Sequence, residues 1–181
     1  MNVPLRTFVK EAARTSSLLE LRNIADEIAA RGRKYSSRLI AREKTTSSDT
    51  LTSEFEWKKP GTLYHLVLVH EEDGIPVQLE NRWVNPRKAA DFLIQNFIKQ
   101  TPAAYLINKV PVDELEHSVT AMLPSKREQE LLDITETEPC IALHRRSWSA
   151  GEVVTVATFI YPASRYALQS RYRTTPQGKP L

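Results

Sequence analysis

The sequence predicts an α+β domain in which helices cover part of an antiparallel sheet. Two pairs of aliphatic segments carry this prediction, because a tight-turn dipeptide separates the members of each pair. Strands joined by such a turn run antiparallel, and helical signals lie between the two hairpins. The pairs are 62–71 with 75–84 around Asp73-Gly74, and 140–149 with 153–161 around Ala150-Gly151.

Further elements are predicted outside the hairpins. The clearest helix covers 17–31, where apolar side chains recur at helical spacing and Ser17 to Glu20 forms a capping box. Asn or Thr followed by Pro is typical of a helix start. With these elements we expect five or six strands and four or five helices. The remaining strands are 35–44 and 112–123, and the remaining helices are 50–56, one from Asn85-Pro86 through Phe97, one from Thr101-Pro102, and one from Ser125 to Leu132.

The composition is typical of one globular domain. The chain has 181 residues, of which 41% are apolar and 26% charged, and its net charge is +3. No apolar run approaches the roughly 20 residues that a membrane helix needs. No signal peptide is predicted, so we expect a cytoplasmic protein without a membrane partner. Cys140 is the single cysteine, which excludes an intrachain disulfide and a cysteine-based metal cluster.

The spacing of the glycines argues against several enzyme classes. No two of the five glycines lie closer than thirteen positions, whereas a phosphate-binding loop needs clustered glycines. Hydrolase and zinc-protease motifs are also missing. We therefore expect no enzymatic activity, no cofactor and no metal ion.

The strand 75–84 carries the first candidate site. Strand alternation places Gln78, Glu80 and Arg82 together on one face. Three polar residues on one face of a central strand have two explanations, and the pattern alone favours a solvent-facing side over a binding pocket. His65 and His70 lie on the partner strand, but their spacing with Glu80 matches no compact metal motif. His70, beside the turn, is expected to be exposed.

Other candidates each have a purely structural alternative. Thr101 opens a helix whose free N–H groups suit an anion, although the pattern by itself favours simple helix capping. Arg145 and Arg146 point to opposite faces of a strand, so one of them can face a pocket. Tyr161 and Tyr166 fit packing at a sheet edge. The apolar stripe of 17–31 suits either the core or a dimer interface.

Four segments, in this order, resemble the effector-sensing UTRA domain of GntR-superfamily repressors, and within that family its histidine-utilisation branch. The likeness covers about 17–172 and implies a chorismate-lyase-like fold, a small-molecule pocket and a homodimer. Residues 1–16 resemble the last wing strand (Pro4 to Val9) and linker of an upstream winged-helix domain, through which alone we expect DNA binding, and 173–181 are expected to be a flexible tail. The segments are LLELRNIADEIAARG (18–32), LYHLVLVHEEDGIPVQLENRWVNP (63–86), TPAAYL (101–106) and RRSWSAGEVVTVATFIYPASRYAL (145–168).

The resemblance also implies a ligand and the residues that contact it. The histidine-utilisation branch responds to urocanate, a flat imidazole joined to a carboxylate. Arg82, Arg145 or the helix start at Thr101 would bind the carboxylate, and Glu80 or His65 would bind the imidazole N–H. Tyr166 and Tyr161 are further contacts by the same resemblance. Two alternatives remain open: a chorismate pyruvate-lyase-like enzyme on the same fold, and a dimerisation module without a ligand.

Overall fold

The computed structural model describes residues 14–16 and 23–168, which form one six-stranded antiparallel sheet, a two-stranded parallel pair and four α-helices. The sheet order is β2-β3-β4-β7-β6-β5, and β1 pairs with β8. The predicted α+β class is confirmed. The strands are β1 (Arg14–Ser16), β2 (Tyr35–Thr46), β3 (Thr62–Glu72), β4 (Ile75–Val84), β5 (Glu114–Met122), β6 (Cys140–Ser149), β7 (Glu152–Pro162) and β8 (Tyr166–Leu168), and the helices are α1 (Ile24–Ala30), α2 (Asp49–Glu54), α3 (Pro102–Lys109) and α4 (Lys126–Leu132).

Two tight turns organise the sheet. Asp73 and Gly74 both have positive φ, at 52° and 81°, and Ala150 and Gly151 repeat the arrangement at 52° and 71°. Positive φ at both central residues is typical of the hairpin turn whose twist matches the flanking strands. Each turn therefore sets the register of a long hairpin, β3–β4 and β6–β7, and these hairpins lie side by side through β4 and β7.

Apolar clusters pack on both faces of the sheet. On one face, Leu66 and Leu68 of β3 pack against Phe92, Phe97 and the side chains of α3. On the other face, a cluster that includes Val67, Val69 and Leu79 packs against α4. Polar residues on the face covered by α3, such as Glu80 and Arg145, are buried, whereas Asn81 and His144 on the other face remain partly exposed. Within the described ranges no helix is long and apolar enough to cross a bilayer.

Two predicted helices differ from the structure. In the described part of the chain α1 begins only at Ile24, because Asn23 has an extended backbone and its side chain accepts a hydrogen bond from the N–H of Ala25. The predicted capping box at Ser17 to Glu20 lies outside the described residues. The helix expected after Asn85 is replaced by turns and a short 3-10 helix, Phe92–Ile94. The side-chain N–H of Asn85 donates to the carbonyl of Val153 at 3.2 Å, while its Oδ1 accepts from the N–H of Arg87 at 3.1 Å.

The remaining predicted elements lie within two residues of the observed ones. Thr101 caps α3, with its hydroxyl accepting a hydrogen bond from the N–H of Ala104 at 3.1 Å. Ser125 and Glu128 form the expected capping box at the start of α4. These starts are local, which is why the sequence predicts them well. The wing-like Pro4 to Val9 and the tail 173–181 lie outside the described residues.

Candidate functional site

A cavity lies between one face of the sheet and the first turns of α1 and α3. Strands β4, β7 and β6 form its floor, and its empty volume is about 420 Å³ including the open mouth. The lining side chains lie close together, so the open space between them is narrow. It is called here the outer cavity, and its lining residues are Asn23, Ile24, Glu27, Gln78, Glu80, Thr101, Ala103, Leu143, Arg145, Phe159, Tyr161 and Tyr166.

Glu80 lies on the floor of the outer cavity as a buried, doubly paired carboxylate. One oxygen accepts a hydrogen bond from Nε of Arg82 at 2.5 Å, and the other from Nε2 of His70 at 2.8 Å. Burial alone raises the pKa of Glu80, but the positive charge of Arg82 and the contact with His70 outweigh burial and hold this pKa at about 2. The carboxylate is therefore ionised throughout the physiological range.

The Glu80 network extends away from the cavity through His70. Nδ1 of His70 accepts a hydrogen bond from the Tyr35 hydroxyl at 2.8 Å, which is the arrangement that lets Nε2 donate to Glu80. Burial raises the pKa of Tyr35 to about 12, so its hydroxyl keeps the proton that it donates. The chain Tyr35–His70–Glu80 thus fixes the orientation of the carboxylate on the cavity floor.

Arg145 brings a cation into the outer cavity without a carboxylate partner. Its side chain is 93% buried, its Nε donates to Nε2 of His117 at 2.7 Å, and its guanidinium carbon lies 5.1 Å from the ring centre of Phe159. Within the described residues it forms no salt bridge. Removal from water lowers the pKa of Arg145, since burial disfavours the charged form. Such a group favours an anion beside it.

Further hydrogen-bonding groups line the outer cavity. The hydroxyl of Tyr166 donates to Glu27 at 2.8 Å, and the Thr101 hydroxyl donates to Oδ1 of Asn23 at 2.7 Å. The ring of Tyr161 stacks on that of Tyr166, with 4.2 Å between their centres. These contacts join α1 to β8 and to the start of α3, and they place aromatic and acidic groups in the same cavity as the Arg145 cation.

Five of the residues predicted as site residues line the outer cavity, namely Glu80, Thr101, Arg145, Tyr161 and Tyr166. Arg82 lies beside Glu80 and lines a neighbouring void. Strand alternation did not show which of Arg145 and Arg146 faces the cavity. The structure places Arg145 in the cavity and Arg146 on the opposite face, paired with Glu116 at 3.0 Å.

The structure corrects the placement of two histidines. His65 lies on the other face of the sheet, stacked on Trp83 and bonded to Asn81 and Glu43, so it does not reach the outer cavity. The reason is strand alternation, because His65 pairs with Trp83 in register and Trp83 faces away from Glu80. His70, expected to be exposed, is fully buried against Glu80. One signal in the sequence indicated this burial. The Asp73-Gly74 turn sets a register that pairs His70 with Gln78, and Gln78 lies on the same face as Glu80.

The described residues contain no group of three or more histidine, cysteine, aspartate or glutamate side chains arranged to hold a metal ion. The arrangement instead offers a buried cation, a fixed carboxylate and aromatic walls. Small-molecule sites have this composition, with few polar groups that set orientation and apolar walls that exclude water. The outer cavity is suited to binding a small, flat, charged molecule.

Comparison with known proteins gives the family. The model of the UTRA domain matches residues 30–167, which contain all the strands of the six-stranded sheet. The chain belongs to the UTRA domain family. The matched range also includes every residue predicted as a site residue.

Relatives of this UTRA domain are named as regulators. The chain is 42% identical over 166 residues to a "Histidine utilization repressor" of Pseudomonas putida, covering 92% of this chain and 67% of the relative. A protein of the same name from Pseudomonas aeruginosa is 40% identical, covering 92% and 66%. The chain thus spans about two thirds of the length of these relatives. They are named as repressors and not as enzymes, so this UTRA domain is a regulatory domain.

A solved structure supports the same placement. The C-terminal domain of histidine utilization repressor from Pseudomonas syringae pv. tomato superposes with a TM-score of 0.75 at 35% sequence identity. The superposition covers 78% of this chain and all of that domain. The UTRA domain described here therefore shares its fold with a domain at the C-terminal end of a transcription repressor.

Proposed function

We propose that this chain is the effector-sensing domain of a cytoplasmic repressor of histidine utilisation, and that the effector is urocanate or a similar small carboxylate. The names of the relatives support the regulatory pathway. The observation that carries the ligand class is Arg145, a buried guanidinium that lines the outer cavity and has no carboxylate partner within the described residues.

The charge of Arg145 selects an anion. An uncompensated charge inside a protein costs several kcal/mol, about 3–5 when a buried pair loses one partner. A ligand carboxylate that enters the outer cavity removes this cost, and a planar guanidinium matches a carboxylate with two parallel hydrogen bonds. A neutral ligand of the same shape gains nothing from Arg145, so the site discriminates by charge.

The part of the outer cavity beside Tyr161 and Tyr166 suits a nitrogen donor. Glu27 and the hydroxyl of Tyr166 lie there, and the stacked rings of Tyr161 and Tyr166 provide a flat apolar wall. An imidazole can stack on such a wall and donate its N–H to an oxygen. Arg145 and this part of the cavity together fit a planar molecule with an acid at one end and an N–H at the other, which is the chemistry of urocanate.

Ligand binding would be signalled through the segments that close the outer cavity. Its roof is the first turns of α1 and α3, joined through the hydrogen bond between Asn23 and Thr101. A ligand that enters the narrow space must move this roof. In a homodimer with an attached winged-helix domain, such a movement changes how the two DNA-reading units are spaced, with a coupling energy of about 1–3 kcal/mol in typical allosteric proteins.

A thermal-shift titration of the chain with urocanate tests the proposal. A ligand at 100 times its dissociation constant stabilises the folded state by about 2.7 kcal/mol, which raises the melting temperature of a domain of this size by roughly 5–10 °C. Arg145→Met should abolish the shift without lowering the melting temperature of the free protein, because it replaces a buried unpaired charge with an apolar side chain.

Arg146→Met is the matched control, since Arg146 is the next residue on the same strand and lies on the opposite face. It should retain the full urocanate shift. The absence of any shift with urocanate would contradict the effector assignment. Release of pyruvate from chorismate would contradict the regulatory role. Sedimentation at micromolar concentration tests the homodimer separately.

A further inference from the structure

A second void lies beside Arg145 on the same face of the sheet. It has an empty volume of about 340 Å³ including its opening, and it shares Ala103 and Arg145 with the outer cavity. It is called here the inner chamber. Its polar lining comes from neighbouring positions of β4, β6 and β7, and these residues are Arg82, Arg145, Ser147 and Thr155.

Arg82 has one buried nitrogen, Nη2, without a hydrogen-bond partner in the part of the chain that the structure describes. Its Nε donates to Glu80 and its Nη1 donates to the hydroxyl of Thr155 at 3.3 Å. Buried polar atoms in proteins are nearly always bonded, and an unsatisfied charged donor is costly. The unused donor belongs to a residue that lines the inner chamber.

Of the two buried guanidinium groups on this face, only that of Arg82 pairs directly with a carboxylate within the described residues. Arg82 and Arg145 flank Ala157 in register, so both emerge on the same face of the sheet. Their guanidinium carbons lie 5.4 and 5.1 Å from the ring centre of Phe159. Glu80 pairs with Arg82, and Arg145 forms no salt bridge within the described residues. One small anion placed beside both arginines would give Arg145 a direct partner.

The hydroxyls of the inner chamber add a further donor. The oxygens of Ser147 and Thr155 lie 3.2 Å apart, so one hydroxyl donates to the other. Since the Thr155 oxygen also accepts from Arg82, one hydroxyl proton remains for a ligand oxygen. An acceptor with two oxygens can therefore meet Nη2 of Arg82, the guanidinium of Arg145 and a hydroxyl at the same time.

We infer that the inner chamber is the carboxylate subsite of the effector, with the ligand acid held between Nη2 of Arg82 and Arg145 and its flat remainder lying in the outer cavity. This inference rests on the proposed function, because it takes the effector to be a small carboxylate. It sets the ligand direction, with the acid inward and the nitrogen end toward Tyr161 and Tyr166. The inner chamber would bind a small carboxylate anion, and this carboxylate is either part of the effector or a free small acid.

Calorimetric titration of the full chain with urocanate, and separately with formate, tests the inference. Arg82→Lys retains a cation for Glu80 but lacks the forked Nη2 donor, and Ser147→Val keeps the Glu80–Arg82 pair while filling the inner chamber. Each should raise the urocanate dissociation constant at least tenfold. Arg146→Lys, the same change on the opposite face, should leave the dissociation constant within twofold. Should Arg82→Lys fail to fold, Ser147→Val decides the outcome.

The outcomes separate the inference from the proposed function. Urocanate binding that survives both variants unchanged overturns the inner chamber as the acid subsite and leaves the proposed function standing. Formate binding that urocanate displaces, and that Arg82→Lys removes, supports the inference with the effector as the source. If only formate binds, in an Arg82-dependent manner, the inner chamber is a free-anion site and the effector assignment fails. If neither binds, both are wrong.

Discussion

Replacing Glu80 with glutamine is expected to remove a pH-dependent part of the folding free energy. Glu80 is ionised, buried and paired with Arg82 and His70. Its pKa in the folded protein is about 2 against an ordinary value of 4.5. A carboxylate whose pKa is depressed by folding stabilises the native state above the unfolded-state pKa, and this contribution is lost as the pH falls through the folded-state pKa.

The size of the effect follows from the pKa difference. The difference between the two pKa values of Glu80 corresponds to about 3 kcal/mol of folding free energy at pH 7. With the same two pKa values, this contribution falls to about 1 kcal/mol at pH 3. The Glu80→Gln variant lacks the titrating group, so the gap in unfolding free energy between wild type and variant should narrow by about 2 kcal/mol from pH 7 to pH 3.

Urea unfolding followed by tryptophan fluorescence, at intervals from pH 7 to pH 3, measures this gap. Glu116→Gln is the control, because Glu116 also pairs with an arginine but is exposed on the edge strand β5. Exposed pairs contribute about 0–1 kcal/mol, so the control should change little at any pH. A gap that stays constant from pH 7 to pH 3, or a variant as stable as wild type at pH 7, would refute the reasoning.

Three further predictions concern the scaffold. Gly61→Ala should lower the free energy of unfolding by about 1–3 kcal/mol through overpacking, because its new Cβ would lie 2.7 Å from the ring of Trp57. Urea unfolding followed by tryptophan fluorescence measures this loss, and an unchanged midpoint contradicts it. Cys140 is buried and its pKa is raised by burial to about 11, so a thiol reagent at pH 8 should label it only on unfolding; rapid labelling of the native protein would show that the thiol is accessible. Ser125→Ala should lose about 1 kcal/mol of unfolding free energy, because it removes the capping box of α4; equal stability in urea would show that the cap is dispensable.

The parts of the fold that were predictable depend on short stretches of sequence. The turns Asp73-Gly74 and Ala150-Gly151 adopt the positive φ angles that their residue types favour, so both hairpins were visible in the sequence. The capping residues Thr101 and Ser125 act on N–H groups three positions away. The helix expected after Asn85 does not form, although Oδ1 of Asn85 accepts from the N–H of Arg87; the side-chain N–H of Asn85 donates to the carbonyl of Val153, which lies far away along the chain.

The candidate site was predictable only in part. Alternation correctly groups Gln78, Glu80 and Arg82 on one face, but it does not say whether that face is covered. The cover comes from α1 and α3, whose first turns meet through Asn23 and Thr101. The same limit explains the wrong placement of His65. Neighbouring residues of a strand face opposite sides of the sheet, so an error of one residue moves a predicted site residue to the other face.

Local chemistry in the sequence determines the elements of this protein: two hairpins, three of the four α-helices of the described chain close to their observed bounds, and a polar stripe on β4 that carries a carboxylate and a guanidinium. The tertiary structure alone decides which face of the sheet is enclosed, that Arg145 rather than Arg146 enters the cavity, and that His70 supports Glu80. The physical reason is that burial and charge balance depend on which distant segments come together. Asn23, Glu80, Thr101 and Arg145 meet only after the sheet and its helices have packed.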